Sequence, residues 1–238
     1  MTPFPYEVQD DTLPRLGLVV LQVDETIEQD FRRLFAPDAA SLFVSRVPSG
    51  AELTPDSIAR MEATLPAAAG LLPAPLDVVA YACTSGATLI GVERVRDLVA
   101  GAVASRAVTD PLSAALAQCH DLGLRRVGIV SPYIAPVAEP IRAAFEAAGI
   151  TVPATLSFGE EVESKVARIA PQSIADAVRE LVRQAPLDGV FLSCTNLRTL
   201  GILKPLAREI GLPVLSSNQC LAWHMATLAG TTPPSFNG

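Results

Sequence analysis

The sequence PLDVVAYACT at residues 75–84 is matched by PLDGVFLSCT at residues 186–195. Each segment is an apolar run that ends in Cys-Thr, so Cys194 follows Cys83 by 111 residues. Short Val- and Leu-rich runs of this kind are typical of strands buried on both faces of a parallel sheet. The two segments therefore predict two related strands, each with a cysteine beyond its carboxyl end.

The same interval relates other parts of the chain. It carries Gly17 onto Gly128, and residues 103–105 onto residues 214–216. One interval that fits several separate segments indicates an internal duplication. We therefore expect two lobes that each carry one cysteine, with the two thiols facing each other across a cleft.

Composition sets limits on the class of protein. The chain has 238 residues, of which 50% are apolar and 18% charged, so it can form two lobes with sizeable cores. The net charge is −7 and Lys and Arg cluster only in pairs, which argues against nucleic acid or an anionic membrane as a partner. No apolar run reaches the roughly 18 residues that a membrane span needs.

The amino-terminal segment and the cysteine spacing bear on location and cofactors. Residues 1–16 contain acidic residues and three prolines where a secretory signal needs a basic start and an apolar run, so we expect a cytoplasmic protein. The four cysteines show no C-x-x-C spacing, which predicts thiols and no metal site. Neither a phosphate loop nor a dinucleotide fingerprint is present, and we expect no cofactor.

Apolar runs alternate with helix-length periodic stretches along the chain, which predicts parallel sheets with right-handed crossovers. The predicted strands span residues 16–21, 41–47, 78–82, 102–105, 127–131, 151–157, 189–193 and 214–217. The predicted helices span residues 24–35, 55–72, 85–100, 111–122, 137–148, 164–170, 171–184, 200–210 and 220–229.

The interval also divides the chain into domains. We predict an α/β fold with two pseudo-symmetric lobes, at residues 1–112 and 113–217, each a parallel sheet flanked by helices. The active site is expected in the cleft between the lobes. Residues 218–238 are predicted to form a carboxyl-terminal helix and tail that return to the first lobe, with a loose end from residue 231. We expect a homo-oligomer, a dimer or larger.

The predicted edge of the sheets carries reactive and polar side chains. Ligands of such sheets bind beyond the carboxyl ends of the strands, where Cys83 and Cys194 are predicted to lie. Each cysteine also precedes a predicted helix, and the positive end of a helix dipole favours a thiolate. Short polar side chains that can bind a substrate carboxylate follow both cysteines: Thr84, Ser85, Thr195 and Asn196.

The motifs ACTSG at residues 82–86 and SCTN at residues 193–196, with SPY at residues 131–133, resemble the aspartate/glutamate racemase superfamily. The resemblance extends over residues 16–229 and is nearest to the maleate cis-trans isomerases and the arylmalonate decarboxylases. It implies a two-lobed fold, catalysis by thiols without a cofactor, and a substrate-binding role for Tyr133.

Individual residues separate the branches of this superfamily. Glutamate racemases have a histidine where this chain has Asn196, and arylmalonate decarboxylases have a glycine where it has Cys83. Maleate isomerases keep both cysteines and the tyrosine matched by Tyr133. Their two substrate-binding asparagines fall at Asp24 and near Glu163. A carboxylate at these positions repels a dicarboxylate but can receive an ammonium or an amide N–H.

The resemblance therefore implies a cofactor-independent isomerase that uses Cys83 and Cys194 on a small carboxylic acid, in the manner of maleate isomerases. One alternative is a racemase or epimerase of an amino-acid derivative, because the loop LQVDET at residues 21–26 is similar to superfamily members found with ectoine-utilisation enzymes. The same motifs are compatible with an arylmalonate-type decarboxylase, which needs only Cys194, and with a non-catalytic protein that binds a small molecule. An isomerase or a racemase is expected to contact its substrate through Asp24.

Overall fold

The computed structural model describes residues 3–10, 12–52 and 54–234, and residues 235–238 of the predicted loose end lie outside this part. Two four-stranded parallel sheets, in the orders β2-β1-β3-β4 and β6-β5-β7-β8, confirm the predicted α/β fold. The strands are β1 (Arg15–Leu21), β2 (Ser41–Val47), β3 (Leu76–Ala82), β4 (Ser105–Thr109), β5 (Val127–Ser131), β6 (Thr155–Ser157), β7 (Gly189–Leu192) and β8 (Val214–Ser216). The helices are α1 (Ile27–Leu34), α2 (Pro55–Ala69), α3 (Thr84–Ile90), α4 (Val92–Ala102), α5 (Pro111–Asp121), α6 (Ala135–Ala147), α7 (Glu163–Val166), α8 (Pro171–Gln184), α9 (Leu203–Ile210) and α10 (Ser217–Ala229).

The duplication is visible in the packing of the first strand of each lobe. A Cβ on Gly17 in β1 would lie 2.9 Å from Leu76 Cδ1, and one on Gly128 in β5 would lie 2.7 Å from Leu187 Cδ1. Leu76 and Leu187 are themselves related by the interval of 111 residues. The repeat therefore reproduces a close packing contact, in which only glycine leaves room for the neighbouring leucine.

The interval fails at the last strand of each sheet. Val79 on β3 pairs with Val108 on β4, whereas its repeat equivalent Val190 on β7 pairs with Val214 on β8. From a residue of the third strand to its partner on the fourth, the chain thus runs five residues fewer in the second lobe than in the first. The match between residues 103–105 and residues 214–216 is not a structural equivalence.

Two predicted elements before β4 are corrected accordingly. The strand predicted at residues 102–105 is wrong, because α4 continues to Ala102 and β4 begins at Ser105. The helix predicted at residues 85–100 is two helices, because Gly91 has a φ of +97° and separates α3 from α4. Glycine adopts this backbone conformation without the steric cost that a side chain brings.

Several other predicted elements begin later than expected. α1 begins at Ile27 instead of residue 24, β6 at Thr155 instead of residue 151, and α9 at Leu203 instead of residue 200. Pro153 lies ahead of β6 and lacks the N–H that a strand ladder needs. Among the helices described, none is long and apolar enough to cross a membrane.

Helix α10 packs against the first lobe although it follows the last strand of the second. It contacts α5, α1, β3 and β4. Asn218 on α10 donates one hydrogen bond of 2.9 Å to Asp30 on α1 and another of 2.8 Å to the carbonyl of Thr195. The helix starts at Ser217, ahead of the predicted start at residue 220, and Ser216 is its N-cap. α10 thus carries polar side chains to the edge where the cysteine loops lie.

Candidate active site

Cys83 lies between β3 and α3 and is the N-cap residue of α3. Its sulfur accepts a hydrogen bond of 3.2 Å from the backbone N–H of Gly86, and the Ser85 hydroxyl lies 3.6 Å from it. A Cβ on Gly86 would approach the sulfur to 3.0 Å and the Tyr81 hydroxyl to 2.5 Å. The loop therefore holds a buried thiol against two donors, in a space that only glycine leaves open.

Cys194 follows β7 in a different backbone conformation. Its φ is +148°, a region that L-residues rarely adopt, and no other non-glycine residue in the described ranges has a positive φ. Its sulfur accepts a hydrogen bond of 3.4 Å from the N–H of Asn196. Turns occupy residues 195–202, where the prediction placed the start of a helix. Only Cys83 directly precedes a helix.

Ser217 joins the two cysteine loops. It is the first residue of α10 and is fully buried. Its hydroxyl oxygen lies 2.8 Å from Thr84 Oγ1 and accepts a hydrogen bond of 3.0 Å from the N–H of Cys194. The Thr195 hydroxyl donates a further bond of 3.4 Å to the carbonyl of Ala82. Hydrogen bonds therefore join the two cysteine loops, directly from Thr195 to Ala82 and through Ser217 from Thr84 to Cys194.

Tyr133 lies beyond β5 and is 2% exposed. The Ser157 hydroxyl, at the end of β6, donates to the Tyr133 carbonyl and holds this loop. Burial raises the pKa of Tyr133 well above its ordinary value, and the charges of Cys194 and Cys83 raise it further. The phenol of Tyr133 lies near enough to Cys194 to lower the pKa of that thiol. Tyr133 thus lies within electrostatic range of both thiols.

Two buried carboxyl groups complete the cluster. Asp24 is 4% exposed and Glu163 is 3% exposed. Asp24 Oδ1 accepts hydrogen bonds of 2.8 Å from the N–H of Thr26 and 2.9 Å from that of Ile27, so Asp24 precedes α1 and caps it. Asp24 Oδ2 has no hydrogen-bond partner within the described chain, although the Thr195 side chain is near enough to lower the Asp24 pKa. Burial raises the pKa of Asp24, and raises that of Glu163 to about 7.

Asn196 positions these acidic loops. Its Oδ1 accepts a hydrogen bond of 2.9 Å from the N–H of Glu25, and its carbonyl accepts one of 2.9 Å from the Thr26 hydroxyl. Its Nδ2 donates to the carbonyl of Glu163 at 3.1 Å and to Glu163 Oε2 at 2.7 Å. Because these bonds go to protein groups, the amide suits a positioning role better than the direct substrate contact predicted for it.

Burial makes both thiols weak acids. It raises the pKa of Cys83 to about 12 and that of Cys194 well above its ordinary value. The charges of Glu163 and Asp24 raise both pKa values further. At Cys83 each local hydrogen bond has a larger effect than the Glu163 charge, whereas at Cys194 the Glu163 charge has the larger effect. Desolvation therefore exceeds the stabilisation that the donors at the start of α3 give to a Cys83 thiolate.

Every residue predicted for the site is buried and lies beyond the carboxyl end of a strand. Contacts link them into one cluster: Asp24, Cys83, Thr84, Ser85, Tyr133, Cys194, Thr195 and Asn196. All four cysteines of the chain are free thiols, and in the ranges the structure covers no group of His, Cys, Asp or Glu is arranged to hold a metal ion.

Sequence reasoning missed two members of this cluster. Ser217 bridges the loops, and Asn218 ties the second cysteine loop to α1. A signal for both is present, because the polar run at residues 216–218 directly follows a strand that ends at the same edge. Glu163 is recognised from the sequence only as a departure from the family's asparagine.

Two parallel sheets, each contributing a cysteine loop to one buried site, define a protein of the aspartate/glutamate racemase superfamily. A family profile for arylmalonate decarboxylases matches residues 49–236. The chain therefore belongs to the arylmalonate decarboxylase family, which confirms the branch predicted from the cysteine motifs.

Known relatives in this branch carry out two reactions. The maleate isomerase of Nocardia farcinica is 28% identical over 214 residues, which cover 85% of each chain. The arylmalonate decarboxylase of Bordetella bronchiseptica is 27% identical over 233 residues, which cover 94% of this chain and 93% of the relative. A mutant of the N. farcinica maleate cis-trans isomerase, solved with a covalently bound succinylcysteine intermediate, superposes with a TM-score of 0.81 at 23% identity over 92% of this chain and 94% of that chain. The expectation of a cysteine-based isomerase agrees with these relatives.

Proposed function

We propose that the protein is a cofactor-independent isomerase of a small carboxylic acid, with Cys83 and Cys194 as its catalytic pair. The observation that carries this proposal is that both cysteine loops meet at one buried site, where the Ser217 hydroxyl lies 2.8 Å from Thr84 Oγ1 and accepts the N–H of Cys194 at 3.0 Å. Isomerisation without a cofactor needs both a nucleophile and a proton donor, and a pair of thiols supplies both. The covalent succinylcysteine of the N. farcinica relative supports the same chemistry.

Cys83 suits the role of nucleophile. The Gly86 N–H and the Ser85 hydroxyl face its sulfur and stabilise a thiolate there. Its thiol proton passes to solvent before addition, so that Cys83 reacts as a thiolate, and the charges of Glu163 and Asp24 oppose this ionisation. The sulfur then bonds to one alkene carbon, and the π electrons move onto the other alkene carbon and its carboxylate.

Cys194 suits the role of proton donor. It remains a neutral thiol because burial and the nearby carboxyl groups oppose its ionisation. It gives its proton to the second carbon, which leaves a thioether on Cys83 and a thiolate at Cys194. After rotation about the new single bond, Cys194 takes a proton back and the C–S bond breaks, which releases the trans alkene. Tyr133, Thr195 and the loop N–H groups can stabilise the charge on the substrate carboxylate.

A racemase of an amino-acid derivative is the second candidate. Two thiols on loops that Ser217 joins can remove an α-proton from one face of a carbon and return a proton to the other. In this reaction no bond forms between sulfur and substrate. The presence or absence of a covalent adduct therefore distinguishes the two functions.

The test combines mass spectrometry with NMR on the native protein, Cys83→Ala and Cys194→Ala. Each is mixed with maleate, amino-acid derivatives and substituted malonates in D₂O. We expect an adduct on Cys83 that accumulates in Cys194→Ala, where the proton donor is absent. Deuterium uptake at a saturated α-carbon without any adduct supports the racemase.

Decarboxylation gives a different pattern. A decarboxylase of the arylmalonate type survives Cys83→Gly and loses all activity in Cys194→Ala. Full activity of Cys83→Ala on the best substrate of the panel overturns the isomerase proposal. The expected homo-oligomer and the expected cytoplasmic location stay predictions.

A further inference from the structure

The buried carboxyl groups of Asp24 and Glu163 form no salt bridge with the residues that the structure describes. Both are almost fully buried. Asp24 Oδ2 has no hydrogen-bond partner at all there. Removing a carboxylate from water without a cation or a full set of donors is costly, so sites that retain one normally have a use for it.

The nearest cationic side chain does not neutralise the pair. Arg46 lowers the Asp24 pKa through its charge, but its guanidinium donates to the backbone carbonyls of Gln22 at 2.8 Å and Asp24 at 3.2 Å. Its other terminal nitrogen bonds to Glu28. Arg46 therefore braces the Asp24 loop and leaves the carboxyl oxygen available.

Both carboxyl groups are held in place and act on the reacting thiols. Asn196 donates to Glu163 Oε2 at 2.7 Å, and the N–H groups at the start of α1 hold Asp24 Oδ1. Glu163 and Asp24 each raise the pKa of Cys83 and of Cys194, and Asp24 also raises that of Glu163. The two acids and the two thiols thus share one electrostatic site.

A cavity lies beside Asp24. It has a volume of about 600 Å³ and is lined in part by Asp24, Ala51 and Ser164, and also by Arg46 and Arg198. Glu163 borders this lining, because Ala51 accepts the Glu163 N–H at 3.0 Å and Ser164 follows it in sequence. A small molecule therefore has space beside the Asp24 carboxyl group, next to the loop that holds Glu163.

We propose that the substrate carries a protonated nitrogen, bound by the carboxylates of Asp24 and Glu163, in addition to the carboxylate that faces the thiols. This inference rests on the proposed function, since it takes the substrate to be a small carboxylic acid. A dicarboxylate would set a second negative charge against the acidic pair. A zwitterion supplies a countercharge. Its positive charge also offsets the field that raises both thiol pKa values, so binding itself favours ionisation of Cys83.

The test compares three probes of similar length by calorimetry at pH 8, which is above the Glu163 pKa of about 7. The probes are 4-aminobutyrate, which is a zwitterion, succinate, which is a dianion, and butyrate, which lacks the second group. We expect 4-aminobutyrate to bind at least about tenfold more tightly than either of the others, as a charge-assisted hydrogen bond provides. The preference should grow from pH 6 to pH 8 as Glu163, with a pKa of about 7, ionises.

Two substitutions identify the groups responsible. Asp24→Asn keeps the cap of α1, since asparagine accepts the same N–H groups, and Glu163→Gln keeps the shape of that side chain. Each should lower the affinity for 4-aminobutyrate about tenfold with little effect on butyrate. The double variant should prefer succinate. Glu161→Gln is the matched control, because Glu161 is exposed and lies two residues from Glu163.

Three results overturn the inference. They are a failure of 4-aminobutyrate to bind, a preference of the native protein for succinate between pH 6 and pH 8, and equal losses for all probes in the two variants. A preference for succinate means that a protonated Glu163 donates to an anion, and equal losses mean that the pair has a structural role only. Because binding is measured without turnover, these outcomes are independent of the adduct on Cys83, whose absence would count against the proposed function instead.

Discussion

The two cysteine loops begin with the same Cys-Thr sequence and continue as different structures. Cys83 caps a helix of seven residues, whereas Cys194 has a φ of +148° and precedes a series of turns. The first lobe forms α3 directly after its cysteine, whereas the second lobe has a loop over residues 195–202 before α9 begins at Leu203. A duplicated motif therefore does not give two equivalent thiols.

The difference extends to the electrostatics of the thiols. The local hydrogen bonds change the pKa of Cys83 more than the Glu163 charge does, whereas the Glu163 charge changes the pKa of Cys194 more than the local hydrogen bonds do. Such an asymmetry is suited to an addition reaction, in which one sulfur must carry a negative charge and the other must keep its proton. In racemisation both thiols exchange a proton with the same carbon, so the two need more similar acidities.

Replacing either cysteine should give the largest effect. Cys83→Ser and Cys194→Ser should each lower kcat/KM by at least about 10³-fold, because a hydroxyl is a weaker acid and a poorer nucleophile than a thiol. Steady-state rates on the best substrate of the panel measure this, with Cys119→Ala as a control for loss of a core thiol. Activity that survives in Cys83→Ser and not in Cys194→Ser would show that only one loop is catalytic.

Removing the Glu163 charge should change both stability and thiol acidity. The pKa of Glu163 is raised from 4.5 to about 7 in the folded protein, so folding favours its protonated form. Its contribution to the free energy of unfolding is then full below pH 4.5 and falls by about 3 kcal/mol as the pH rises to 7. Glu163→Gln should remove this part of the pH dependence of the free energy of unfolding, which urea denaturation at several values between pH 5 and pH 8 measures.

A control and a second measurement sharpen that result. Glu161→Gln should leave the pH dependence of the free energy of unfolding unchanged. Burial raises the pKa of Asp30 to about 6, so Asp30 accounts for part of the pH dependence that remains in Glu163→Gln. Glu163→Gln should also lower the pKa of Cys194 more than that of Cys83, measured by the pH dependence of alkylation. Equal changes at the two thiols would remove the electrostatic difference between the loops.

Breaking the link between the loops should have a smaller effect. Ser217→Ala removes the hydrogen bond to Thr84 and leaves the buried N–H of Cys194 without its partner, so we expect a loss of about 2 kcal/mol. Thr84→Val removes only the first bond and should cost about half as much. Chemical denaturation of both variants measures the difference. Equal losses would mean that the N–H of Cys194 does not depend on Ser217.

The sequence is sufficient to predict the features that depend on local pattern. Apolar runs at residues 41–47 and 127–131 give strands with those same bounds, and the interval of 111 residues identifies the paired cysteines. Parallel strands place their carboxyl ends at one edge, which is why the reactive residues could be assigned to one site.

The features that depend on contacts between distant segments could not be predicted. A return of the carboxyl-terminal helix to the first lobe is predicted from the sequence, but no local pattern pairs Ser217 with Thr84. The high thiol pKa values result from burial by both lobes together, whereas the sequence shows only the local donors. The positive φ of Cys194 has no signal in the sequence, because the same Cys-Thr pair has ordinary backbone angles at Cys83.

The smallest expected effect tests the backbone difference directly. At a φ of +148°, glycine avoids a strain that alanine retains, so Cys194→Gly should be more stable than Cys194→Ala by about 1 kcal/mol. At Cys83 the backbone angles are ordinary, and the side chain stabilises the protein by capping α3. Cys83→Ser should therefore be more stable than Cys83→Ala by about 1 kcal/mol, because serine accepts the N–H of Gly86. Urea denaturation of the four variants at one pH measures both differences. If neither pair differs, the helix and the turn support their thiols equally well, and the unequal roles of the two cysteines must arise from the neighbouring carboxyl groups alone.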